Sequence, residues 1–150
     1  MRLIRRASFV YLHTVAEVTI RRVTARYERW PRDMRRVRKS AFGSFDNPPT
    51  SLRRHECWLV RAELDGRLIA YALSYDMGGN ASMACLDEVA VHAKHQGNGV
   101  GTAVTVEAVR WIREYGIEDI SCMAIDDRMA QILTRLRLGG EAAPTSDSHA

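Results

Sequence analysis

Two hydrophobic rhythms divide the chain. Between about residues 9 and 28, Leu12, Ala16, Ile20, Val23 and Tyr27 recur at helical spacing, with Ser8 as a candidate N-cap. This spacing predicts a helix, although Val15, Val18, Thr19 and Ile20 are β-branched and stiff at χ1. Ahead of it, Leu3-Ile4 with flanking arginines predicts a short first strand. Pro31 breaks the pattern, and a mostly basic second helix is expected over about 32–41. Gly43–Ser51, which contains Pro48-Pro49, reads as a loop.

Near Glu56 the rhythm becomes strand-like. Cys57–Leu64 and Arg67–Tyr75 flank Asp65-Gly66, a two-residue hairpin signal. Gly78-Gly79-Asn80 marks a second turn, and Ala81–Val91 reads as a third strand of this meander. A helix over about 99–115 carries an apolar stripe of Val100, Val104, Ala108, Trp111 or Ile112, and Tyr115. Gly116 stops it. Ile117–Ile125 predicts a further strand, and Asp126 or Asp127 caps a last helix through about Arg137. The order is β-α-α-β-β-β-α-β-α, a mixed α/β (α+β) arrangement in one domain over 1–138. The tail, 139–150, is small and polar and is expected to be disordered. No internal repeat is present.

Composition narrows this little. A chain of 150 residues can bury a sizeable single core. No run approaches the roughly 18 apolar residues of a membrane span. The basic start lacks an apolar leader and a cleavage site, so no signal peptide is read and a cytoplasmic location is expected. Cys57, Cys85 and Cys122 are odd in number and far apart. They imply neither a disulfide framework nor a metal site.

Charge is more informative. Residues 1–61 hold 15 Lys+Arg against 5 Asp+Glu, whereas residues 62–150 hold 7 against 13. The basic half is either a solvated surface or a face for an acidic partner, with nucleic acid a weakly supported third case.

The stretch that carries chemistry is Gln96-Gly97-Asn98-Gly99-Val100-Gly101-Thr102, set between the strand ending Leu86-Asp87-Glu88-Val89-Ala90-Val91 and a helix start. A strand, a glycine-rich turn and a helix N-terminus make an anion cradle, because free N–H groups and the helix dipole point at one place. A nucleotide or coenzyme phosphate is the natural guest, and an ordinary glycine-rich turn is the alternative. The glycine order fits neither a dinucleotide fingerprint nor a P-loop, since no lysine follows. What it fits is Gln/Arg-x-x-Gly-x-Gly/Ala. Glu-Val-Ala-Val-His followed by Gln-Gly-Asn-Gly-Val-Gly resembles the coenzyme A loop of the GNAT superfamily of N-acetyltransferases.

The resemblance covers nearly the whole chain in element order, but only residues 86–102 are specific. It implies a central, mostly antiparallel mixed sheet flanked by helices. It implies acetyl-CoA as co-substrate, with no metal. It implies that backbone groups of Val89, Ala90 and Val91, on a bulged strand, pair with the pantetheine arm. The pyrophosphate would lie on Gln96, Gly97, Asn98, Gly99, Val100, Gly101 and Thr102, with a neutral bond from Gln96 where many relatives have arginine. Asp127 stands where the family has the asparagine of its last-helix motif. Thr134 stands where many relatives have a tyrosine that protonates the departing thiolate.

An amine acceptor with a pKa of roughly 10 must lose a proton before it attacks. A carboxylate can take it. Glu88 is the first candidate and Asp87 the second; as strand neighbours their side chains are expected on opposite faces. His92 and His95 read as surface or phosphate-side residues, and Tyr71, Tyr75 and Tyr115 as packing residues.

Relatives continue into two further strands, whereas only the polar tail follows Leu138 here. A homodimer or a partner is therefore expected over the 117–125 strand; a monodisperse monomer at micromolar concentration would count against it. Two readings follow. The first is an N-acetyltransferase that moves acetyl from acetyl-CoA directly to an unidentified amine. The second is a non-catalytic module of the same fold that keeps coenzyme A for binding or assembly.

Overall fold

The computed structural model describes residues 3–11, 14–79, 82–122 and 131, and every structural statement below concerns these. Six strands form one sheet in the order β1-β2-β3-β4-β5-β6, with β1 Ile4–Tyr11, β2 Thr14–Ala25, β3 Cys57–Leu64, β4 Arg67–Asp76, β5 Met83–Val91 and β6 Asp119–Cys122. Successive strands through β5 pair antiparallel, and β6 lies parallel to β5. The helices are α1 Arg32–Phe42, the single turn α2 Ser51–Arg54, and α3 Val100–Glu114. The class is the expected mixed α+β.

The helix predicted over 9–28 is absent. That stretch supplies the end of β1 and the whole of β2, a hairpin whose register runs from Tyr11↔Thr14 to Ile4↔Arg21. The described order therefore begins β-β-α-α rather than β-α-α. Val15, Val18, Thr19, Ile20, Val23 and Thr24 suit a pleated chain. Pairing with β1 on one side and β3 on the other gives β2 a ladder along both edges. These non-local bonds outweigh a weak local spacing. A second difference is α2, a helical turn between the predicted loop and the first meander strand.

The β3–β4 hairpin forms where expected. Asp65 and Gly66 have φ of 50° and 75°, the left-handed pair that a tight two-residue turn requires.

The sheet has a core on each face. On one face α3 buries Val100, Val104, Ala108, Val109, Trp111 and Ile112 against Val18, Ile20, Val60, Ala72, Ala84 and Leu86. Trp111 and Ile112 are both buried. Tyr115, expected on the apolar stripe, is instead exposed and stacks on Trp58 at 5.0 Å. On the other face α1 buries Met34 and Val37 with Trp30, Leu52, Leu59, Tyr71 and Leu73.

Ion pairs fasten α3 to the N-terminal hairpin. The Arg22 guanidinium donates to Glu107 at 2.8 Å and to Glu114 at 2.5 and 2.9 Å, and lies over Trp111. Arg5 reaches Glu107 at 3.3 Å. The predicted last helix and the polar tail lie outside the described residues.

Candidate active site

The site is built on β5. Leu73 pairs with Glu88 but Ser74 pairs with Leu86, so Asp87 is an extra residue in its strand, a β-bulge. The bulge resets which residues face which helix. Ala84 and Leu86 pack towards α3, and past the bulge Val89 and Val91 do so as well. Glu88 and Ala90 face α1. Described pairing with β6 stops at Leu86↔Cys122, so Asp87–Val91 has no described strand neighbour on that side.

Beyond β5 the chain makes a single 3-10 turn, Ala93–His95, and then the glycine loop. Ser40 on α1 accepts from the Ala93 N–H at 2.9 Å and holds this turn against the helix. Gly97 and Gly99 sit at φ of 80° and 83°, a region that strains side-chain-bearing residues. A Cβ at Gly101 would stand 3.1 Å from Val91 Cγ2, so glycine there lets the first turn of α3 approach the end of β5.

Ala103 is the first residue of α3 whose N–H reaches a carbonyl, that of Gly99 at 3.0 Å. The N–H groups of Gly97, Asn98, Gly99, Val100, Gly101 and Thr102 have no acceptor among the described residues. A row of free donors at the positive end of a helix of about four turns is a donor set for a diphosphate. The Gln96 side chain does not extend this row. Its Nε2 donates to the Val91 carbonyl at 3.0 Å and ties the loop to the strand. The Asn98 amide points to the carbonyls of His95 and Gln96 at 3.4 and 3.5 Å.

The two sequence-predicted carboxylates differ sharply. Glu88 is 4% exposed. Arg38 Nε lies 3.0 and 3.1 Å from its two oxygens, and the Tyr71 hydroxyl donates to it at 2.5 Å. Burial pushes its carboxyl above the usual range, and Tyr71 and Arg38 pull it back. Arg38 also donates to the carbonyls of Asp46 and Asn47, so one guanidinium ties β5, α1 and the loop after α1 together. Asp87 is half-buried and makes no hydrogen bond or ion pair among the described residues.

The charge of Asp87 is felt across the α1 face. Burial and then that charge push the Cys57 thiol up to about 12, and burial, the Cys85 thiol and after them that charge push the Tyr75 hydroxyl up to about 12. Tyr75 stacks on His55 at 4.4 Å. Cys57 and Cys85 are buried, and burial raises both thiols, so neither is a ready thiolate nucleophile.

Sequence reasoning missed Arg38 and the role of Tyr71, which binds Glu88 instead of serving only as packing. A signal for Arg38 existed: it lies four residues after Met34, on the buried phase of α1. Asp127 and Thr134 lie outside the described residues. Among those described, no group of three His, Cys, Asp or Glu side chains is placed to hold a metal, and no helix is long and apolar enough to cross a membrane.

A sequence profile of the acetyltransferase (GNAT) family matches residues 16–134. The chain belongs to the GNAT family of acetyltransferases. Solved GNAT structures share its fold at low identity. An aminoglycoside acetyltransferase, meta-AAC0020, from an uncultured soil metagenomic sample is 18% identical with a TM-score of 0.65, over 89% of this chain and 95% of that one. The ribosomal-protein-alanine N-acetyltransferase of Brucella melitensis biovar Abortus 2308 is 14% identical with a TM-score of 0.61, over 84% and 95%. The aminoglycoside N-acetyltransferase AAC(6')-Iy, solved with CoA, is 16% identical with a TM-score of 0.58, over 99% and 98%. No protein of curated function matches the chain in sequence.

Proposed function

We propose that this protein transfers an acetyl group from acetyl-CoA directly to an amine. The observation that carries the reading is the row of N–H groups from Gly97 to Thr102, without an acceptor among the described residues, at the start of α3 and beside the end of β5. The loop would hold the diphosphate, and backbone groups of Val89, Ala90 and Val91 the pantetheine arm. Bound acetyl-CoA supplies an activated thioester. The chain supplies anion binding, orientation and a proton acceptor. In the transfer the amine nitrogen bonds to the carbonyl carbon, the carbon–sulfur bond breaks, and the nitrogen's proton passes to a carboxylate.

Asp87 is the carboxylate free to take that proton. Glu88, bound by Arg38 and Tyr71, is the positioning residue that fixes the bulge against α1. The raised thiols of Cys57 and Cys85 favour direct transfer over a cysteine-bound intermediate.

A thermal-shift titration with acetyl-CoA, coenzyme A and ATP, paired with thiol-release assays on a panel of amines, tests this. Acetyl-CoA and coenzyme A are expected to raise the melting midpoint, and ATP to do so less. Asp87→Asn should keep the shift and lower turnover by about 10² to 10⁴. No shift with either coenzyme ends the reading. Thr134, in place of the family tyrosine, favours a second reading, a module that binds the coenzyme without turnover. A shift without thiol release on any amine selects it.

A further inference from the structure

The acceptor's character can be read from the outer face of α1. Arg32, Arg35, Arg36 and Lys39 fall at i, i+3, i+4 and i+7, a single stripe about 10 Å long. Together with Gly43, Ser44, Phe45 and Asp46 they line an open groove of about 570 Å³. Among the described residues none of the four cations is in an ion pair. Arg35 leans on the Phe45 ring, and Arg36 donates to the Leu68 carbonyl at 2.6 Å. The positive field continues past the groove: Arg67 acts on Arg36, and Arg36, Lys94 and Arg67 all act on His92. Asp46 is the one acidic residue of the lining.

The groove adjoins the candidate site. Its wall at Asp46 is gripped from beneath by Arg38, which also grips Glu88. Groove and bulge thus share one strap.

We infer that this groove seats an acidic peptide segment of the amine acceptor, with the arginine forks taking carboxylates. The inference rests on the acetyltransferase reading for its link to catalysis, but not for binding. Nucleic acid fits less well. Phe45 is engaged edge-on by Trp30 and by the guanidinium groups of Arg35 and Arg38, so it offers no platform for base stacking. Asp46 would oppose a continuous phosphate backbone. A polycationic acceptor such as an aminoglycoside would meet four like charges.

The test uses three labelled probes on the full chain: a glutamate-rich peptide with a free α-amine, its lysine-rich counterpart, and a duplex DNA oligomer. Binding is followed by fluorescence anisotropy and acetylation by thiol release, with sisomicin as an additional acceptor. The acidic peptide is expected to bind best, to weaken with added salt, and to be the preferred acceptor. The variant Arg32→Glu/Arg35→Glu/Lys39→Glu leaves the Arg36 bond to Leu68 intact. It should lower acidic-peptide affinity about tenfold or more while the acetyl-CoA thermal shift persists, which also reports that the variant is folded.

Binding of the lysine peptide, sisomicin or DNA as tight as that of the acidic peptide would overturn the inference. So would an unchanged affinity in the triple variant, or no binding of the acidic peptide at all. Tight acidic-peptide binding that the triple variant loses, with no acetyl transfer to any amine, would keep the groove assignment and refute the catalytic reading.

Discussion

Each face of the sheet holds a buried arginine–glutamate pair, and the two are built differently. Under α3, Arg22 and Glu107 sit in a network: Arg22 also binds Glu114, while Glu107 is approached by Arg5 and Arg110. Under α1, among the described residues, Glu88 is bound only by Arg38 and the Tyr71 hydroxyl, and Arg38, which lies over the Phe42 and Phe45 rings, has Glu88 as its only charged partner beside two backbone carbonyls. The first pair can lose a member and remain compensated. The second cannot. A redundant pair serves as a fastening between helix and sheet. A sparse one holds a single carboxylate at a set place and in a set state, beside the bulge where the chemistry is proposed.

Truncation tests that contrast most strongly. Arg38→Ala leaves Glu88 buried with one hydroxyl, and about 3–5 kcal/mol of stability should be lost near pH 7. Glu88 already sits above the usual carboxylate range because of burial. Without Arg38 it rises further, so the folded state binds a proton that the unfolded state does not. Stability contributed by that proton is present at low pH and lost as pH rises, so the deficit of Arg38→Ala should shrink between about pH 8 and pH 5. Arg22→Ala should cost less and show a flatter pH dependence, because Arg5 and Arg110 remain near Glu107. Urea denaturation of both variants at the two pH values measures this. Equal losses with equal slopes would erase the distinction.

A smaller effect sharpens it. Tyr71→Phe removes a hydrogen bond to a charged group, worth about 1.5–3 kcal/mol. Combined with Arg38→Ala in a double-mutant cycle it should be strongly non-additive, since both act on one carboxylate. Combined with Arg22→Ala it should be additive.

The smallest expected effect lies at the edge of the glycine loop. Burial, and then neighbouring cations, hold His92 and His95 below the ordinary imidazole range. The unfolded chain therefore binds protons that the folded chain resists, so the melting midpoint should rise with pH up to about 6.5. His92→Asn/His95→Asn should flatten that rise; an unchanged slope would show that other groups set it.

The parts of the fold that local chemistry decides were legible. Asp65-Gly66 demands a tight turn wherever it stands, and the α3 stripe and its glycine loop are contiguous signals. The N-terminal hairpin was not legible, because Ala16, Ile20 and Val23 satisfy a helical spacing by coincidence. Arg22, on a core-facing position of β2, also reads as a polar break in strand alternation. It belongs inside only because Glu107 and Glu114 arrive from 85 and 92 positions away. The same holds at the site. Asp87 and Glu88 were legible as carboxylates near the loop. Which one is free depends on Arg38 and Tyr71, and those meet Glu88 only through strand register and helix packing.

The bulge at Asp87 also constrains how this chain can change in length. Side chains on a strand alternate with a period of two, so the supernumerary residue inverts the parity of everything after it. Drawing Asp87 into the regular pleat, with no residue removed, would turn Glu88 and Ala90 towards α3, and Val89 and Val91 away from it. The glycine loop would then leave the strand from the wrong side. A one-residue change in length among Val89–Val91 would exchange the same faces, whereas loss of Asp87 itself would leave them as they are. Drift in chain length should accumulate in the turns at either end of β5 and spare the strand itself.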